Sequence, residues 1–467
     1  MGELDNAARQ RNDLRNIIIG PTAGCANRAH EIVAAIEVDL YARGWPHGAT
    51  LGTLLELQRR FAVGRPVCLE AAAIMQTRRM IDIKRGPGGG IYVVHPDASG
   101  AARALLLSLT LRGVNGRSLN EMRGIALRLA VREALQAPGR PVRLDGDCFA
   151  SSRAFRLAVA EGSSNPGVSF VTSMVEELYE ATDRFGGIGW NDCTIGLARR
   201  LASAITRGDR ETAELLQGRL SAMDSPTGDT DLIDPSMIGS VTSLNNQKYA
   251  GRVAGLLLRE IAAQNEYPVK LGSERAIADR FGFDAHVVRQ ALRMLEDLDC
   301  VALRRGRAGG LVGFMPSYGA VIRRIATCMA QLELSFQQSI TIAGALAAEA
   351  AQLAAERVRA GEIDPALLDQ INGSLREAGA VTGISEYARV QDPLIDLAMN
   401  PILGTLLRAF ALSSVCRNDH QYSMEFSAEQ AAMIIDGNLS ILAAIRAGDA
   451  GAAEQQAWEK HLLMRGH

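Results

Sequence analysis

Chemistry-bearing signatures are scarce in this chain of 467 residues. Its seven cysteines (Cys25, Cys68, Cys148, Cys193, Cys300, Cys328 and Cys416) are scattered and form no CxxC pair. That spacing implies neither a disulfide framework nor a zinc ribbon, and it makes a reducing cytoplasm the expected compartment. No apolar run reaches the ~20 residues that a membrane-spanning helix needs. The opening stretch MGELDNAARQRNDLRN carries no apolar signal core, so no membrane partner is expected. A nucleophile elbow, an HExxH motif, a phosphate-binding glycine loop ahead of a helix and a paired-carboxylate signature are all missing, which makes an enzyme the least favoured class. The glycine cluster GPGGG at residues 86–90 falls inside an expected hairpin. Aromatic residues make up only 5%. Strands favour aromatic and β-branched residues, so this poverty, beside abundant Ala, Leu, Arg and Glu, favours helix. A net charge of −2 argues against a general polyanion binder.

What is present is a repeat. Residues 48–94 read GATLGTLLELQRRFAVGRPVCLEAAAIMQTRRMIDIKRGPGGGIYVV, and residues 269–314 read VKLGSERAIADRFGFDAHVVRQALRMLEDLDCVALRRGRAGGLVGF. Phe61 matches Phe281 and Gly89 matches Gly309, each 220 residues later. A register held through loops as well as helices marks one inherited unit. The hydrophobic fraction of 47% and charged fraction of 22% suit a globular protein with sizeable cores. The length allows roughly three or four domains.

Each copy reads as an amphipathic helix, a short helix, a tight turn, a third helix and a β-rich segment interrupted by glycines. This is the pattern of a winged helix-turn-helix. Its third helix can enter a major groove about 12 Å wide, and wing glycines let the backbone approach a phosphate closely. Both segments are mildly basic, with nine Lys/Arg against six Asp/Glu over residues 28–95 and eleven against eight over 248–317. The expected organisation is a lead-in (1–26), a winged unit (27–97), a helical domain (101–224), a linker rich in Asp, Pro, Gly, Ser and Thr (225–246), a second winged unit (247–317) and a second helical domain (318–467). The expected fold class is mainly α, with two small β-hairpin wings. The helical regions also match: Asn165-Pro166 aligns with Asn400-Pro401 and Asp209 with Asp449, at offsets of 235 and 240. The whole chain then reads as one two-domain unit written twice.

The winged segments resemble the GntR family of bacterial transcription regulators. The helical segments resemble its FadR-type effector-binding domain, through the Asn-Pro after an amphipathic helix and the terminal AI-x-x-GD plus HL. The resemblance covers nearly all of the chain as two regulators fused head to tail. It implies double-stranded DNA as partner, a small carboxylate or acyl compound as effector, and further homo-oligomerisation as an option. The inheritance is uneven. The second copy keeps Ser273, Glu274 and Arg275 where the first has Thr53, Leu54 and Leu55. The first keeps Arg65 where the second has Ala285, and the second keeps Arg289 where the first has Leu69. The candidate DNA-contacting set is Thr53, Arg59, Arg60, Arg65, Pro66, Lys84, Arg85, Gly88 and Gly89 in the first copy. In the second it is Ser273, Arg275, His286, Arg289, Arg293, Arg304, Arg305, Arg307 and Gly309. An arginine bidentate to guanine is worth about 1–3 kcal/mol of discrimination, so unlike halves imply an imperfect palindrome. The two winged units are expected to face successive major grooves, ~34 Å apart.

In many FadR-type domains an aspartate, a histidine four residues on and two later histidines hold a divalent metal. Those positions fall here at Tyr387, Gln391, Asn438 and His461, and in the first copy at about Ser152, Arg156, Ala198 and Ser221. Only His461 keeps a ligand type, so neither metal nor cofactor is expected. The helical domains then have two open readings. One is a metal-independent effector pocket, with an anion at Arg123 or Arg156 or a polar pocket of Tyr387, Gln391, Asn438 and His461. The other is a structural dimerisation module. For the chain as a whole, a repressor acting as an intramolecular pseudo-dimer is the leading expectation. The alternative is a ligand-sensing or scaffold protein whose winged helices no longer read DNA.

Overall fold

Apolar residues recur at helical spacing in RAHEIVAAIEVDLYA, and this stretch is helix α1 (Arg28–Ala42) in a computed structural model of the chain. The structure describes residues 28–78, 80–84, 86, 88–94, 98–111, 115–136, 146–181, 190–223, 248–264, 266–298, 300–304, 310–314, 318–330, 332, 334–379, 381, 383–416 and 426–465. The expected lead-in and linker lie outside the described residues, as do Arg85, Arg305, Arg307 and Gly309.

After α1 come β1 (Thr50–Gly52), α2 (Leu54–Phe61), α3 (Arg65–Thr77), β2 (Ile81–Lys84) and β3 (Gly90–Val93). Helix α2 starts at Thr53 because the Thr53 hydroxyl accepts from Glu56 N at 3.3 Å while Glu56 Oε2 accepts from Thr53 N at 2.6 Å. This reciprocal box satisfies two amides that a helix start otherwise leaves open. Pro66 sits in the first turn of α3, where a missing N–H costs nothing. Strand β3 lies between β1 and β2 and is antiparallel to both. The core of this unit gathers Ile36, Leu40, Trp45, Leu57, Met75 and Ile91.

A run of helices follows: α4 (Ala98–Leu111), α5 (Gly116–Gln136), α6 (Ser152–Glu161), α7 (Pro166–Ala181), α8 (Asp192–Arg207) and α9 (Arg210–Met223). Then come α10 (Lys248–Ala262), β4 (Val269–Gly272), α11 (Glu274–Phe281), α12 (Ala285–Asp297), β5 (Val301–Arg304) and β6 (Gly310–Gly313). These helices and the two hairpin strands each begin 220 residues after α1, α2, α3, β2 and β3. The second sheet has the corresponding strand order, β4-β6-β5. Its register shift falls between Lys270 and Gly272, matching the shift between Thr50 and Gly52. The remaining helices are α13 (Tyr318–Ala330), α14 (Phe336–Arg359), α15 (Pro365–Arg376), α16 (Ile384–Asp396), α17 (Pro401–Cys416), α18 (Ala428–Arg446) and α19 (Ala450–Arg465). The described protein is thus mainly helical, with two small antiparallel sheets.

The packing crosses over. The first winged unit rests on α13 and α17 of the second helical region, and its core takes in Ala326, Ala330 and Leu412. Tyr41 Oη donates to Thr327 Oγ1 across that contact at 3.0 Å. Conversely α10, from the second winged unit, packs on α4, and its core is continuous with that of the first helical region. Between the helical regions α4 meets α13 and α5 meets α14 and α17. Ion pairs span this seam: Arg128 Nε to Glu349 at 2.9 Å, Arg132 to Glu454 at 2.8 Å and Arg357 to Glu121 at 2.6 Å.

Candidate nucleic-acid interface

Helices that can read a groove must leave their first turns exposed, and α3 and α12 both do. In the first unit Arg65 and Pro66 stand exposed at the start of α3. Thr53 caps α2, and Arg59 is exposed in the last turn of that helix. Arg60 is drawn back instead: it pairs with Asp39 on α1 at 3.5 Å and lies 5.2 Å from the Phe61 ring centre. On the wing, Lys84 Nζ sits 4.7 Å from the centre of the Tyr92 ring. Gly88, at φ +76°, takes the left-handed conformation that turns the hairpin, and Gly89 N donates to Gly86 O at 2.8 Å.

In the second unit Ser273 caps α11, its Oγ accepting from Ala276 N at 3.2 Å. Arg275 is exposed on α11, and Arg289 and Arg293 are exposed one turn apart on α12. Arg289 pairs with Glu274 at 3.2 Å, an exposed contact that screening makes weak and easily exchanged. His286, exposed in the first turn of α12, has a ring nitrogen 3.1 Å from Gln290 Nε2. Arg304 ends β5, its backbone register placing it opposite Gly310.

One expectation is corrected. The winged units are not a full DNA turn apart, because α3 lies directly against α12. Glu70 of α3 comes near enough to Glu296 of α12 to act on its charge. Burial first, then Glu70, pushes the Glu296 carboxyl up to about 7, against an opposing pull from Arg293. Two helices of ordinary ~10–12 Å diameter that touch cannot be centred ~34 Å apart.

The helical regions hold two polar clusters. In the first, Arg123 and Arg156 are buried and already face a carboxylate: Arg123 grips Glu176 in a bidentate pair at 2.9 and 3.1 Å. Arg156 lies 3.8 Å from Glu176 and donates to Arg123 O at 2.8 Å. Glu176 therefore supplies the anion that the sequence left unassigned. In the second cluster the polar centre is Lys460, which the sequence reading did not single out. Its Nζ donates to Gln391 Oε1 and to Asn438 Oδ1, the latter at 2.6 Å, and lies 5.1 Å from the centre of the Tyr387 ring. Asn438 is fixed in turn by Nδ2 donating to Val390 O at 3.2 Å. Burial pushes the Lys460 amine down to about 7 and the Tyr387 hydroxyl up to about 12. His461 points elsewhere: it packs edge-on against Trp458 and over Gly344, where a Cβ would meet its ring at 2.4 Å. The signal for Lys460 was faint, a single lysine among the last helical residues. Among the described residues no group of three His, Cys, Asp or Glu side chains could hold a metal ion.

No family model and no curated protein matches the chain. Among solved structures it is similar to Streptococcus agalactiae GntR, with 15% identity and a TM-score of 0.23, over 42% of this chain and 100% of that one. No described helix is long and apolar enough to cross a membrane.

Proposed function

We propose that this chain is a DNA-binding transcription regulator, acting as a repressor, in which two regulator units joined head to tail close into a pseudo-dimer. The observation that carries the reading is the pair of helix-turn-helix-and-hairpin units in one 220-residue register, with α3 and α12 adjacent and their first turns exposed. An exposed cation stands on each helix, Arg65 in the first turn of α3 and Arg289 one turn into α12, where each could meet DNA. Because α3 and α12 touch, the two half-sites would be centred less than one DNA turn apart. Because their side chains differ, the operator would be an imperfect palindrome. Crossed packing would let a small carboxylate or acyl effector in the helical regions act on the spacing of the winged units. The role is binding rather than catalysis, in the cytoplasm. A second chain is not needed to supply a second reading helix. Footprinting purified protein on the DNA upstream of its own gene tests the reading. Protection of two adjacent half-sites is expected, and no protection anywhere upstream would contradict it.

A further inference from the structure

The two recognition helices present opposite chemistries at equivalent positions. Arg65, Leu69 and Ala73 lie four residues apart on α3 and so share one face, as do Ala285, Arg289 and Arg293 on α12. Leu69 is 46% exposed, and Leu55, at the α2 position that holds Arg275 in the second unit, is 53% exposed. Three arginine positions of the second unit are thus Leu55, Leu69 and Ala73 in the first. Single exposed leucines need no explanation. Two of them at groove-facing positions, flanked by the exposed cations Arg59 and Arg65, do.

The geometry points to a division of labour: the second unit reads guanine through Arg289 and Arg293, and the first reads thymine methyl groups through the exposed Leu69. This inference rests on the DNA-binding reading above. A leucine can neither donate to guanine O6 and N7 nor pair with adenine, so it carries no hydrogen-bonded readout. The one apolar group on the floor of the major groove is the thymine C5-methyl, and a leucine side chain is complementary to it. Arg65 and Arg59 then supply phosphate anchoring around the apolar contact. The flanking cations favour a polyanionic partner for this face over a purely apolar one.

The test uses the whole chain. Duplexes selected from a random pool should carry guanine in one half and thymine in the other. Each thymine of the second kind of half-site is then replaced by deoxyuridine, which removes only the methyl. Loss of one contacted methyl should weaken binding about fourfold, equivalent to ~0.8 kcal/mol. Replacement in the guanine-bearing half should change nothing. Leu69→Ala should bind the thymine duplex more weakly and be indifferent to deoxyuridine, and Leu69→Arg should shift that half toward guanine. Thermal unfolding of both variants should match the parent, because Leu69 is exposed. If duplexes bind but deoxyuridine is silent, or acts equally in both halves, this inference fails while the regulator reading stands. If no duplex binds at low salt, both fail.

Discussion

Asn165 and Asn400 make the same contact in opposite directions across the middle of the molecule. Asn165 Nδ2 donates to Gln338 O, near the start of α14, at 3.1 Å; Asn400 Nδ2 donates to Ser118 O, near the start of α5, at 2.9 Å. Each also caps its own helix, Asn165 Oδ1 accepting from Gly167 N and Asn400 Oδ1 from Leu403 N, both at 3.1 Å. One side chain thus starts a helix in its own half and ties it to the long helix of the other. Asn400→Ala should remove a cap and leave a buried carbonyl short of a donor, costing about 2–3 kcal/mol. Asn165→Ala should act in the same direction. Urea unfolding of the whole chain checks this, and the loss should appear in one shared transition rather than in a separate half.

The ion pairs along the same seam should not be equal. Glu349 is buried opposite Arg128, so Arg128→Met strands a buried carboxylate and should cost about 3–5 kcal/mol. Arg132 and Glu454 both keep solvent contact, and Arg132→Met should cost no more than about 1 kcal/mol. Equal losses in denaturant unfolding would refute this ranking.

The contact between α3 and α12 should depend on pH. Glu296 is lifted from 4.5 to about 7 by burial and by the facing carboxylates Glu70 and Glu274, against Arg293. A group raised in the folded state contributes stability that is complete below its unfolded value and lost as pH rises through the folded one. The pairing should therefore weaken between about pH 4.5 and pH 7. Glu296→Gln should flatten that dependence. Thermal unfolding followed at several pH values in this window, for parent and variant, reads both slopes.

A smaller asymmetry lies at the ends of α2 and α11. Both winged units leave this helix through a left-handed residue, but the second uses Gly282 (φ +69°) and the first Ala62 (φ +50°). A Cβ in that conformation costs about 1–2 kcal/mol, offset in part by the greater freedom of unfolded glycine. Ala62→Gly should stabilise the first winged unit by about 0.5–1 kcal/mol, seen as slower amide hydrogen exchange in α2.

The winged units were legible because their register includes loops: Phe61 with Phe281 and Gly89 with Gly309 constrain turns as well as helices. The alignment of Asn165 with Asn400 was legible too, although its meaning was not. Their acceptors, Gln338 and Ser118, are 173 and 282 residues away, and no local pattern encodes such a contact. The same reason hid the crossing of Tyr41 to Thr327 and the contact of α3 with α12, which replaced the expected spacing of a full DNA turn. Lys460 was missed because a lysine in a terminal helix reads as solvated. Only its contacts with Gln391 and Asn438, on two other helices, make it the centre of a cluster.

The most direct test of the central claim is the mass of the complex between the purified chain and a protected duplex, measured under native conditions. One chain per duplex, contacting both unequal half-sites, is the predicted result. Two chains per duplex, or no complex with any protected or selected DNA, would contradict a regulator that carries its own partner.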